Sequence, residues 1–176
     1  VWRVKKEKPT PQPIEYGIRY IVIPEENYKN ENGFMTVEYK TSEEVSNELE
    51  ERFSNGKISQ KVFEKRLSKI PKVGRIKITL GRENINNAIS RWFIFTCIYN
   101  DEIIFNKHGI EDIPYVYGGD RLWWNDKSYN VNEPWDGELK LNVKDNYQDK
   151  VYRFKIIKER YPLNKYESDT TPQVAG

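Results

Sequence analysis

The spacing of apolar positions changes period twice along the chain, and the changes mark out its elements. Ile14 to Ile23 (IEYGIRYIVI) is rich in β-branched and aromatic side chains and is closed by Pro24. Gly33 to Tyr39 (GFMTVEY) repeats that composition after a polar, Asn-rich loop, and both runs predict strands. The period then lengthens to about 3.6. Thr41 and Glu44 form a T-x-x-E capping box, Val45, Leu49 and Phe53 recur every four residues, and Asn55-Gly56 supplies a left-handed stop. A second helix is expected from about Ser59, on a stripe of Ile58, Val62, Phe63, Leu67 and Ile70, with Pro71 ending it. Together they predict a helical hairpin over residues 42–70.

From Gly74 onward the period is 2. Ile76, Ile78 and Leu80 alternate with Lys77 and Thr79, as on a half-buried strand. Trp92 to Tyr99 (WFIFTCIY) is apolar on both faces, which suits a central strand, and Asn100-Asp101 is a turn signal leading into Ile103 to Phe105. Leu139, Leu141 and Val143 alternate with Lys140, Asn142 and Lys144. After Asp145-Asn146, the run Val151 to Ile157 places Tyr152, Phe154 and Ile156 on one face. Short strands at such intervals predict a mainly β, α+β fold: an antiparallel β-sandwich of the immunoglobulin-like or C2-like kind, with a two-helix hairpin inserted after the second strand. A barrel is the alternative. No internal repeat interrupts this reading.

The ends differ from the middle. Residues 1–13 include KKEKPTPQP (Lys5 to Pro13), a proline-rich, polar stretch expected to be an extended tether. Residues 14–166 are expected to form one domain, and the polar residues 167–176 a flexible tail. A tether ahead of the first strand fits a domain hung from a membrane anchor or from a preceding domain. The chain opens on Val1, as a processed or excised polypeptide does.

Composition narrows the function classes. The 14% aromatic share sets the chain apart from disordered polymers, despite 32% charged residues. A net charge of +2 provides no concentrated basic surface for nucleic acid. Lys150 to Arg160 (KVYRFKIIKER) interleaves cations with aromatics, but such cations on an outer face also deter edge-to-edge association. No run approaches the roughly 18 apolar residues that span a bilayer.

Candidate chemistry is sparse. Cys97 is the single cysteine and His108 the single histidine, so no disulfide or multi-thiolate zinc site exists within the chain. Cys97 lies in an apolar run that hides a thiol and raises its pKa, which makes a Cys97–His108 catalytic pair a poor candidate. His108 with Glu111 and Asp112 lacks metal-ligand spacing. Asp136, Asp145 and Asp149 fall on loops where a C2-like calcium site would lie, but Asp145 and Asp149 share the turn-forming segment DNYQD. The carboxylate pairs Glu43-Glu44 and Glu50-Glu51 fit the solvated face of a capped helix. No cofactor, metal or catalytic constellation is assigned, and the expectation leans away from an enzyme.

The densest unusual stretch is Tyr115 to Trp135. Within it Tyr117, Asp120, Arg121, Trp123, Trp124 and Trp135 are the candidate binding residues, because sugars stack on flat aromatic faces while nearby polar groups bond the hydroxyls. Against this stands the alternation of a strand, which sends Trp123 and Trp124 to opposite faces. The helical hairpin is the other candidate surface, with Glu43, Glu44, Glu48, Glu50 and Glu51 on the first helix facing Lys57, Lys61, Lys65, Arg66, Lys69 and Lys72 on the second. The expected function is a non-enzymatic binding or assembly module: a tethered, surface or envelope-type domain, extracytoplasmic in leaning, engaging a protein partner. The alternative is a carbohydrate-binding module or glycan-active enzyme using the Tyr115 to Trp135 region.

Overall fold

The computed structural model of the protein describes residues 8–163. Its strands are β1 (Tyr16–Pro24), β2 (Lys29–Asn30), β3 (Gly33–Thr41), β4 (Gly74–Arg82), β5 (Phe93–Tyr99), β6 (Glu102–His108), β7 (Trp123–Val131), β8 (Glu138–Asp145) and β9 (Lys150–Pro162). The helices are α1 (Ser42–Ser54), α2 (Gln60–Leu67) and a short α3 (Ile85–Ala88), followed by a 3-10 turn over Ser90–Trp92. The fold is mainly β, with two antiparallel sheets. One is ordered β1-β9-β8-β5-β6 and the other β2-β3-β4-β7.

Period-2 alternation sends one face of each sheet into a shared cluster. Met35, Tyr39, Ile76, Ile78, Leu80 and Val131 enter from the four-stranded sheet, and Phe93, Phe95, Cys97, Leu139, Leu141, Val143, Phe154 and Ile156 from the five-stranded one. Burying side chains of this size contributes about 1.5–3 kcal/mol each. Asn100 and Asp101 both take positive φ, which twists the two-residue β5–β6 turn in the sense that antiparallel strands require.

The helical hairpin lies between β3 and β4, where the sequence places it. Thr41 caps α1 reciprocally: its hydroxyl accepts from the Glu44 amide and the Glu44 carboxylate accepts from the Thr41 amide. Val45 and Leu49 are buried. The helix-helix seam is closed by Phe53 stacked on Phe63, with centroids 4.5 Å apart, while Glu48 pairs with Lys40 of β3 instead of with a lysine of α2. α2 stops at Leu67, three residues before the expected Ile70, because Lys69 and Ile70 tighten into bonds to Arg66 and Leu67 three residues back.

Past Ile157, β9 loses β8 and keeps only β1. Tyr16–Arg19 therefore pair with Glu159–Pro162 as a two-stranded ribbon, closed by the Leu163 amide donating to the Glu15 carbonyl. Ile14, Tyr16 and Ile18 are exposed there. Lys8 to Pro13, the part of the expected tether within the described residues, is exposed and without regular structure. The expected tail, 167–176, and residues 164–166 of the expected domain lie outside the described residues. No helix among the described residues is long and apolar enough to cross a membrane.

Candidate functional site

β3, β4 and β7 lie side by side, and their outward positions build an aromatic row. Phe34, Gly81 and Trp124 are in register across the three strands. Gly81 is required by close approach: a Cβ there would come 2.3 Å from the Phe34 ring, which lies over it. The Trp124 ring meets Phe34 edge-on at 4.7 Å, Tyr117 meets Trp124 edge-on at 4.8 Å, and Tyr115 meets Tyr117 perpendicular at 5.5 Å. Such edge-to-face contacts each add about 0.5–1.5 kcal/mol beyond burial.

The loop from Gly109 to Leu122 carries the outer half of this row, and several anchors hold it. At its start Gly109 passes so close to the Ser90 carbonyl that a Cβ would overlap it. Asp112 then reaches under β7. Its carboxylate accepts from the Ser90 amide (2.9 Å), the Ser90 hydroxyl (2.6 Å) and the Asn125 side chain (3.0 Å), and pairs with Lys127 at 2.5 Å. Burial alone would raise the Asp112 pKa, but Lys127, Ser90 and Asn125 together outweigh it and hold the carboxyl below its usual range. Further along, Tyr115 and Trp124 exchange backbone hydrogen bonds, so the loop adds a partial strand beside β7. The Tyr115 hydroxyl donates to Asp126; burial first, and that carboxylate second, raise its pKa. Asp120 closes the loop by accepting the Trp124 indole N–H at 2.7 Å and the Leu122 amide at 3.1 Å. The Leu122 and Trp124 donors hold the Asp120 carboxyl below its usual range.

Between these anchors the loop turns apolar side chains outward. Ile113 is 88% exposed, and Ile110, Tyr115, Val116 and Tyr117 are exposed beside it.

No protein-family model, curated protein or solved structure matches the chain.

The six sequence candidates separate into two groups. Tyr117, Asp120 and Trp124 are in mutual contact, with exposed Arg121 next to them in the chain. Trp123 points the other way, against the core cluster. Trp135 is 5% exposed, deep among Tyr20 and Tyr39, and donates its indole N–H to the Tyr39 hydroxyl. Sequence reasoning did not single out Phe34, Ile113 or Val116 for the site. Phe34 carried a readable signal only jointly with Gly81, since a glycine inside a strand marks close approach by another group.

Elsewhere the chemistry is quiet. Cys97 is wholly buried and its thiol is pushed up to about 12 by desolvation. His108 is exposed at the end of β6. Asp145 serves its turn by accepting from the Tyr147 and Gln148 amides, and it is also fully buried against Arg82, a contact the turn signal did not disclose. Among the described residues no three His, Cys, Asp or Glu side chains converge in a metal-holding arrangement.

Proposed function

We propose that this chain is a tethered, non-enzymatic binding module that docks a protein partner through Ile110 to Tyr117 and the aromatic row behind it. The observation that carries this reading is Ile113, an isoleucine almost fully exposed at the centre of a loop whose backbone and flanks are pinned. Exposed apolar side chains at Ile110, Ile113, Tyr115, Val116 and Tyr117 on a preorganised loop favour association, because ordering has already been paid for within the free protein. The glycan alternative asks for coplanar, open rings, whereas Phe34, Trp124, Tyr117 and Tyr115 meet edge-on and Trp135 lies in the core. The exposed Lys8–Pro13 segment is what supports a tether.

The same proposal takes the two sheets as the layers of an immunoglobulin-like or C2-like β-sandwich forming one domain; the shared core cluster supports it. In such an architecture, loops at a sheet edge are free to vary in shape without disturbing the core.

The test is site-directed photocrosslinking in cells that make the protein, with the reactive residue at position 116. The reading expects one discrete crosslinked protein, lost when Ile113→Asp is added while thermal unfolding is unchanged. A crosslink that survives Ile113→Asp, or no crosslink at 116 in folded protein, overturns it. Retention of Ile113→Asp binding to immobilised glycans would instead move the site to the rings.

A further inference from the structure

The inward alternation of β4 runs Ile76, Ile78, Leu80 and then Arg82, so a guanidinium occupies what the pattern makes a core position. Arg82 is 3% exposed. Its Nη1 donates to the carbonyls of Phe34 (3.0 Å) and Gly81 (2.9 Å), and its Nη2 to the Tyr152 hydroxyl (3.1 Å). The guanidinium also lies over the Phe93 and Tyr152 rings. Asp145, likewise buried, stands 3.6 Å from Nη2, near enough to balance the charge and too far for a hydrogen bond. Within this pair, Arg82 Nε and Asp145 Oδ2 are buried without hydrogen-bond partners. Unpaired buried groups are unfavourable by about 1–3 kcal/mol each, so Arg82 and Asp145 balance each other's charge without satisfying all of each other's hydrogen bonds.

Arg82 lies in the wall of a cavity of about 190 Å3, open to solvent between the β2–β3 turn and the β8–β9 turn. The rest of the wall is amide, aromatic and cationic: Asn27, Asn30, Asn32 and Gln148 supply carboxamides, and Lys150 a second cation. No carboxylate lines it. Among the described residues the Lys150 ammonium has ring faces for company, at 4.9 Å from Tyr152 and 5.4 Å from Tyr28. With Asp145 balancing Arg82, the Lys150 charge is uncompensated at the cavity, and the local field favours an anion.

From this we infer that the cavity is a binding site for a small oxyanion, a carboxylate, sulfate or phosphate group seated towards Arg82 and Lys150 with the carboxamides bonding its remaining oxygens and hydroxyls. Cations in a partly desolvated wall with neutral donors around them form short, charge-assisted bonds to such groups. The volume is below the roughly 300–1,000 Å3 of sites for larger ligands, which limits the occupant to about the size of a single acidic sugar. The site is independent of the protein-docking loop, although Phe34 joins the two by placing its ring in the aromatic row and its carbonyl on Arg82.

The test is titration of the full chain with glucuronate, sulfate, phosphate and neutral glucose, followed by amide resonances. Glucuronate is expected to move Asn30, Gly33, Gln148 and Lys150 saturably, glucose to leave them in place, and Lys150→Gln to weaken binding about tenfold. Lys150 is exposed, so that variant keeps its fold, and an unchanged thermal transition verifies it. A response to sulfate or phosphate equal to that of glucuronate assigns the site to the oxyanion alone; preference for glucuronate assigns it to an acidic sugar. Equal responses to glucose and glucuronate, no movement of these amides, or binding indifferent to Lys150→Gln would overturn the inference.

Discussion

The Trp124 indole N–H and the Asp120 carboxylate are joined at 2.7 Å across four residues, so the tip of the loop is fastened to the strand that follows it. Asp120→Ala cuts that fastening and also frees the Leu122 amide. The Trp124 indole proton resonance is then expected to move toward the solvent-bonded range and the loop amides to exchange faster, with the thermal transition little changed because Asp120 sits at the surface. Asp120→Asn, which keeps an oxygen acceptor, should restore most of the native spectrum. An unmoved indole resonance in Asp120→Ala would show that ring packing alone holds the loop.

Asp112 anchors the other side. Asp112→Ala leaves the Ser90 amide and hydroxyl, the Asn125 amide group and the Lys127 ammonium without their shared acceptor, and unfolding in urea should show a loss of about 2–3 kcal/mol. The folded carboxyl titrates below the unfolded one. Its contribution is therefore complete above the unfolded value, about 4, and disappears as the pH falls through the lower folded value. Wild type and Asp112→Asn should accordingly converge in stability only below about pH 4 and differ by a constant amount from there to neutrality.

Gly109 and Gly118 make a matched pair. A Cβ at 109 meets the Ser90 backbone, whereas at 118 no atom comes within 4 Å. Gly109→Ala is expected to lose about 1–3 kcal/mol by denaturant titration and Gly118→Ala to stay near wild type.

Cys97 should be inert in the folded protein. Its buried thiol, pushed up to about 12, offers almost no thiolate at neutral pH. A thiol reagent should modify it only at the rate of unfolding, and rapid modification in native buffer would mean that β5 opens locally.

Much of the fold was legible because single positions carried unambiguous local chemistry. The Thr41–Glu44 box fixed the start of α1, Asn100-Asp101 fixed a turn, and the alternations through Leu80, Val143 and Ile156 named faces that the structure buries. The short α3 and the turn at Ser90 escaped because four residues are too few to show a period. The β2 pairing escaped for the same reason. At the site, alternation correctly split Trp123 from Trp124, but composition grouped Trp135 with them, although it lies past the end of β7 and packs against Tyr39 from β3. Arg82 and Asp145, which are 63 positions apart, meet only in three dimensions, and no local pattern announces a long-range pair.

The ribbon of β1 and β9 has a mechanical consequence. Glu15 and Leu163 face one another at its open end, so opposed forces applied at these two positions act across the ladder and load its hydrogen bonds one after another. The molecule should yield to such a pull by peeling, at low force and in small steps, from residue 16 inward. Gripped instead at Glu15 and at Phe154, which lies on β9 opposite the far end of β1, the two strands must slide past one another and break their bonds together. A protein held by one corner of a sheet would thus be soft in one direction and stiff in another, with the β1–β9 seam setting the difference.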